Sequence, residues 1–230
     1  MKDAAYSIAP HTKENLIFAV LGRRVLELNA KSLERVREWE SGIPQYSQRA
    51  IHCGPELLLM NWRGPTLTTL NLEGTKITRW RVGSCLSFIR LDDSEVLICS
   101  GKEGIIWRYA VGSGKPKELL KTKPFLAVAF AQRARQLVLA AGEPFNIYPD
   151  RVEGLNRFQS VSIFDMKSGE LTPYQLPREF DFLAASESSG CILLGDKNSL
   201  MVCSITGGKF FHSGVAICHR RFSLRLSPVI

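Results

Sequence analysis

Five short apolar runs recur along this chain at nearly constant spacing: Leu16–Leu21, Leu57–Met60, Val96–Cys99, Leu137–Ala141 and Cys191–Leu194. From first residue to first residue the steps are 41, 39, 41 and 54. Each run is too short for a buried helix and is bounded by turn residues, so it reads as a strand buried on both faces. A polar or turn residue precedes each, as in Glu14-Asn15, Pro55-Glu56, Ser94-Glu95, Arg135-Gln136 and Ser189-Gly190. A Gly- or Asn-containing turn follows, as in Gly22-Arg23-Arg24, Gly101-Lys102-Glu103-Gly104 and Gly195-Asp196-Lys197-Asn198. Such residues suit hairpins that need positive φ.

The text beyond each turn repeats too. A further strand is expected at Val25–Asn29, Thr66–Leu72, Ile105–Val111, Ser160–Met166 and Leu200–Ile205, each closed by a second turn. Inner strands are expected before the runs, at Ala5–Ala9, Arg49–Cys53, Leu86–Leu91, Leu126–Ala131 and Phe180–Ala185. Charged outer strands are expected at Glu34–Glu40 and Lys76–Val82, where charge guards an edge against pairing. A period near forty built of four strands describes an all-β chain, a β-propeller of about five four-stranded blades. The blades span approximately residues 4–41, 49–83, 85–123, 124–179 and 180–217 of a single domain, with a tail at 218–230. The tail alternates at Arg221–Leu226 like one more strand, so five blades either close the ring or form part of a larger one.

The turn Asp165-Met166-Lys167-Ser168-Gly169-Glu170-Leu171 is similar to the turns of the broad WD-repeat and quinoprotein-like propellers. The chain resembles that class in architecture. It has no Gly-His pair and no Trp-Asp dipeptide, the defining WD-repeat signatures, and the resemblance implies no quinone cofactor.

With 45% hydrophobic and 23% charged residues, the 230-residue chain has the composition of a soluble globular protein and length enough for a core. Apolar runs such as Phe125–Ala131 are too short to span a bilayer, so no membrane partner is expected. Met1–Tyr6 lacks the apolar stretch of a secretory signal. The six cysteines are scattered, without a Cys-x-x-Cys pair. Together these features lead us to expect a cytoplasmic chain with neither disulfides nor a cofactor. His52-Cys53 and Cys218-His219 could form a metal site across a closed ring only if adjacent side chains faced one way. They alternate on a strand, and no metal is expected.

The net charge is +8 and uneven. Residues 102–135 carry eight Lys or Arg against Glu103 and Glu118, and no acid follows Asp196. A basic surplus points to an acidic partner, or simply to solubility. Turns between the second and third strands all emerge at one end of their blades. There the sequence places Arg23, Arg24, Trp62, Arg63, Lys102, Tyr148, Arg151 and Arg157. Tyr148 and both of the last arginines fall in or beside an insertion, Glu143–Gln159, that accounts for the long step of 54. Loops of this length in compact domains are commonly functional, and Phe145, Tyr148 and Phe158 would anchor it or meet a ligand.

Three functions follow. The first is a non-enzymatic scaffold that holds a protein partner on this loop-rich face, with Trp62 and the arginines as anchors. The second is binding of nucleic acid or another polyanion by the same cations, with aromatic side chains as stacking platforms. The third is a carbohydrate-active propeller, which would need converging carboxylates; Asp181, near Glu179, is the one acid expected at an inner strand. Asp92 and Asp93 read as turn formers. Neither a nucleophile–base constellation nor a phosphate-loop or dinucleotide fingerprint is present.

Overall fold

A computed structural model describes residues 7–11, 14–40, 47–61, 65–72, 77–84, 87–142, 157–185, 191–196, 199–206 and 209–217. It forms five four-stranded antiparallel sheets, each built from four consecutive strands in simple up-and-down order. The chain divides into two compact units, Met1–Pro124 and Phe125–Ile230.

The first unit holds three sheets. The first comprises β1 (Ser7–Pro10), β2 (Leu16–Leu21), β3 (Arg24–Asn29) and β4 (Arg35–Glu40). The second comprises β5 (Ser47–Cys53), β6 (Glu56–Asn61), β7 (Thr66–Asn71) and β8 (Ile77–Arg81). The third comprises β9 (Ser87–Arg90), β10 (Glu95–Ser100), β11 (Ile105–Ala110) and β12 (Lys117–Lys121). The inner strands are neighbours, β1 beside β5 and β5 beside β9.

The second unit holds two. One comprises β13 (Phe125–Ala131), β14 (Gln136–Ala141), β15 (Phe158–Asp165) and β16 (Leu171–Phe180). The other comprises β17 (Phe182–Ala185), β18 (Cys191–Gly195), β19 (Ser199–Thr206) and β20 (Lys209–Ile217). Here β13 lies beside β17.

Burial of both faces explains the continuous apolar runs. Alternate side chains of a strand point to opposite faces. Leu57 and Leu59 of β6 therefore pack on Phe18, Val20 and Val25 of the first sheet. Leu58 and Met60 pack the other way, with Val96, Ile98 and Tyr109 of the third. All four β6 side chains are buried, and each leucine so placed contributes about 1.5–3 kcal/mol. In the second unit, Val138 and Ala140 share a cluster with Ile192, Leu194 and Met201. Trp39 borders the first of these clusters, and Trp80 and Trp107 border the second.

Turn chemistry positions the strands. Asn29 Oδ1 accepts from the Lys31 and Ser32 amides at 2.9 and 3.1 Å. Asp165 Oδ1 accepts from the Lys167 and Ser168 amides at 2.8 and 3.1 Å, and Gly169 closes that turn at φ +75°. The Ser168 amide, then Gln136 and the Lys167 amide, hold the Asp165 carboxyl below its ordinary pKa. Asp92 Oδ1 likewise accepts from the Ser94 amide at 2.7 Å, a local turn bond.

The outer strand expected at Glu34–Glu40 is present as the edge strand β4, beginning at Arg35. One expectation changes. Phe180 ends the long outer strand β16 and does not open the inner strand β17, so Asp181 lies in the bend between them, its amide donating to the Gly195 carbonyl at 2.9 Å. The strand β16 runs on because a register shift between its Phe180 and Gln175 pairings lets it follow all of β15.

Candidate functional site

In each sheet the turn from second to third strand emerges at the same end as the link to the next sheet. In the first unit that end is stitched together by backbone. The Val82 amide donates to the Pro65 carbonyl at 2.8 Å. The Val82 carbonyl accepts from Ser100 Oγ at 2.5 Å and from Trp107 Nε1 at 2.8 Å. The Thr122 amide donates to the Gly104 carbonyl at 2.8 Å. Glu103 reaches back to the Ser84 amide at 2.9 Å, and a Cβ on Gly83 would stand 2.7 Å from that carboxyl carbon. These bonds fix the β6–β7 and β10–β11 turns and the β8–β9 link.

Arg23 occupies the β2–β3 turn beside Gly22, whose φ is +59°, and is exposed. Arg24 opens β3, and its guanidinium lies 3.3 Å from Glu38. Lys102 is exposed in the β10–β11 turn. Arg157 precedes β15 in the second unit and lies 3.5 Å from Glu179. Trp62, Arg63, Tyr148 and Arg151 lie outside the described residues, as do most of the insertion (143–156), Cys218 and His219. Arg23 and Lys102 thus stand on same-end turns of one unit; Arg24 pairs with Glu38 and Arg157 with Glu179.

The sequence reading missed Lys121 and Lys123 as neighbours of Lys102. Ile105, at the end of that turn, lies opposite Lys121, and the Thr122 bond to Gly104 holds the following residue alongside. The lysine surplus in residues 102–135 was the available signal.

The opposite end of the first unit carries buried polar groups. The His11 and His52 rings stack at 4.2 Å, with Phe18 5.0 Å from His52. His11 Nδ1 accepts from the Glu14 amide at 2.9 Å. Burial, then His11 and Arg90, lower the His52 pKa to about 4. Cys53 donates its thiol to the Asp92 carbonyl at 3.3 Å, and burial raises its pKa to about 11. A nucleophilic thiolate needs the opposite shift. Cys99 and Cys203 are also buried and unbridged. Among the described residues no group of His, Cys, Asp and Glu is arranged to hold a metal ion. No helix among them is long and apolar enough to cross a membrane.

Asp181 lies at the loop end of the second unit. The five inner strands contain no Asp or Glu. The carboxylates that a glycosidase would need on inner strands are absent from those segments.

No family model matches the chain. No curated protein matches it in sequence either. Among solved structures, 1048 chains match in fold. One is the hydrazine synthase of Kuenenia stuttgartiensis, with TM-score 0.65 and 12% identity over 91% of this chain and 66% of that one. Another belongs to a mitotic checkpoint complex, with TM-score 0.63 and 13% identity over 89% of this chain and 64% of that one. The chain thus spans about two thirds of the length of these neighbours. Identities this low carry the fold and no activity. With five four-stranded sheets of consecutive strands and these neighbours, the chain has an all-β, propeller-like fold.

Proposed function

We propose that the chain is a non-enzymatic cytoplasmic scaffold that holds a protein partner on its loop-rich end. The observation that carries this reading is exposed Lys102 on a β10–β11 turn held by the Thr122–Gly104 backbone bond, with exposed Arg23 on the β2–β3 turn at the same end. A preformed frame lowers the ordering cost of association. The inner strands contain no Asp or Glu, so they offer no pair of carboxylates for acid–base chemistry. One fold neighbour comes from a multiprotein assembly, which supports the same direction.

A second reading, binding of a nucleic acid or other polyanion, draws on the same Arg23 and Lys102. It is weakened where Arg24 and Arg157 are already committed to Glu38 and Glu179. Capture of proteins from lysate on the immobilised chain, with and without nuclease, separates the two. A defined protein set that survives nuclease supports the scaffold. Retention that vanishes with nuclease, and falls steeply with salt, replaces it with the polyanion reading. The carbohydrate-active alternative rests on Asp181, and hydrolysis unchanged in Asp181→Asn would remove it.

A further inference from the structure

The outer strands differ in how they dispose of charge. β4 neutralises itself: Arg35 and Arg24 reach Glu38 at 2.7 and 3.3 Å, and Arg37 reaches the buried Glu27 at 3.2 Å. At the end of β16, Arg178 meets Asp196 at 3.3 Å and Glu179 meets Arg157 at 3.5 Å. β12 and its flanks do neither. Lys115, Lys117, Lys121 and Lys123 are exposed, and like Lys102 they form no ion pair among the described residues. The acids nearby are committed elsewhere. Glu95 holds Arg108 by two bonds of 2.8 and 2.6 Å, and Glu103 takes the Ser84 amide. Glu118 is the single acid of the strand.

β12 is also an open edge. It is the terminal strand of the third sheet and, among the described residues, pairs only with β11. Every second amide and carbonyl along a terminal strand faces outward, a template for one added strand. Lysines on such an edge repel a second copy of themselves and favour a strand bearing carboxylates.

We infer that the β12 edge docks an extended acidic segment of a protein partner, added as a fifth strand of the third sheet. A bulge at Leu119 turns Lys117 and Lys121 to opposite faces of β12, so carboxylates on both faces of the added strand meet them, with Lys102 and Lys123 at the loop end. This rests on the scaffold reading and names the chemistry of the partner. A polynucleotide fits the edge less well. Its phosphates do not match the register of outward amides and carbonyls, and the aromatic residues of the adjoining strand, Trp107 and Tyr109, are turned into the seam.

The test is a fluorescence anisotropy titration of the whole chain with a labelled peptide of about ten residues alternating Glu-Glu with Val-Val, which carries carboxylates on both faces and is long enough to cover one strand. The comparison probes are the same peptide with a central proline, which removes a ladder donor, and an oligothymidylate of equal charge. Saturable binding of the alternating peptide is expected, weakened roughly tenfold in Lys117→Glu with Lys121→Glu and at least as much by the proline. Both lysines are exposed, and an unchanged thermal melt establishes that the variant is folded. No saturable binding, binding indifferent to charge reversal or to the proline, or tighter binding of the oligothymidylate overturns the inference. Proteins captured equally by wild type and reversal variant would remove the edge and leave the scaffold standing. Capture of no protein by either would remove the scaffold reading itself.

Discussion

The Tyr109 hydroxyl donates a 2.6 Å hydrogen bond to the Glu56 carboxylate, joining the third sheet to the second across their seam. The Tyr109 side chain is fully buried, and burial, with Glu56 second, raises its pKa. Tyr109→Phe keeps the ring and removes the donor. The expected cost is about 1–3 kcal/mol, as for a hydrogen bond to a charged group, read as a lower urea midpoint with an unchanged slope. A midpoint equal to wild type would show that water replaces the tyrosine without loss.

Acidification loosens the first unit at His52. Its folded pKa of about 4 lies below the ordinary 6.5, so the unfolded chain binds the proton more readily. The contribution is therefore complete above about pH 6.5 and declines as pH falls toward 4, by about 3 kcal/mol in all. Urea unfolding near pH 7.5 and near pH 4.5 measures it, with His52→Phe as the reference that cannot titrate there. A difference in midpoint as large in the variant as in wild type would assign the effect to other groups.

Much of the fold was legible because doubly buried strands must be apolar throughout. Leu16–Leu21 appears as β2 with the same bounds, and the Asp165–Gly169 turn closes through the bonds its residue types imply. What was not legible depends on register between strands. The ladder that brings Glu38 to Arg24, fourteen positions away, is invisible to a count of cations. Glu56 and Tyr109 are separated by 53 residues and meet only because their sheets stack. Asp181 was misplaced because the period locates a blade to within a few residues, whereas the Phe180–Phe182 bend decides which strand an acid joins.

Two glycines separate strain from crowding. Gly22 and Gly104 both have positive φ, +59° and +66°. Nothing lies within 4 Å of a Cβ at Gly22, whereas one at Gly104 would overlap the Thr122 carbonyl oxygen. Gly22→Ala is expected to cost about 1–2 kcal/mol, the left-handed penalty alone. Gly104→Ala is expected to cost more than about 3 kcal/mol, because backbone must also move. Equal losses of thermal stability would contradict this account of the β10–β11 turn.

Ser100 and Trp107 share one acceptor, the Val82 carbonyl. Ser100→Ala and Trp107→Phe should each cost about 1 kcal/mol or more, and the pair should depart from additivity by about 0.5 kcal/mol or more. A double-mutant cycle in urea reads the coupling. Strict additivity would mean that the carbonyl does not link the two.

The most direct measurement compares wild type with Arg23→Glu and Lys102→Glu combined, both immobilised, in nuclease-treated lysate, with retained proteins quantified by mass spectrometry. Both side chains are exposed, and a thermal melt of the variant is the control that it is folded. A discrete set of proteins held by wild type and lost from the variant is the result expected of a scaffold working through its loop end. The same proteins held equally by both, or none held by wild type once nucleic acid is removed, would contradict it.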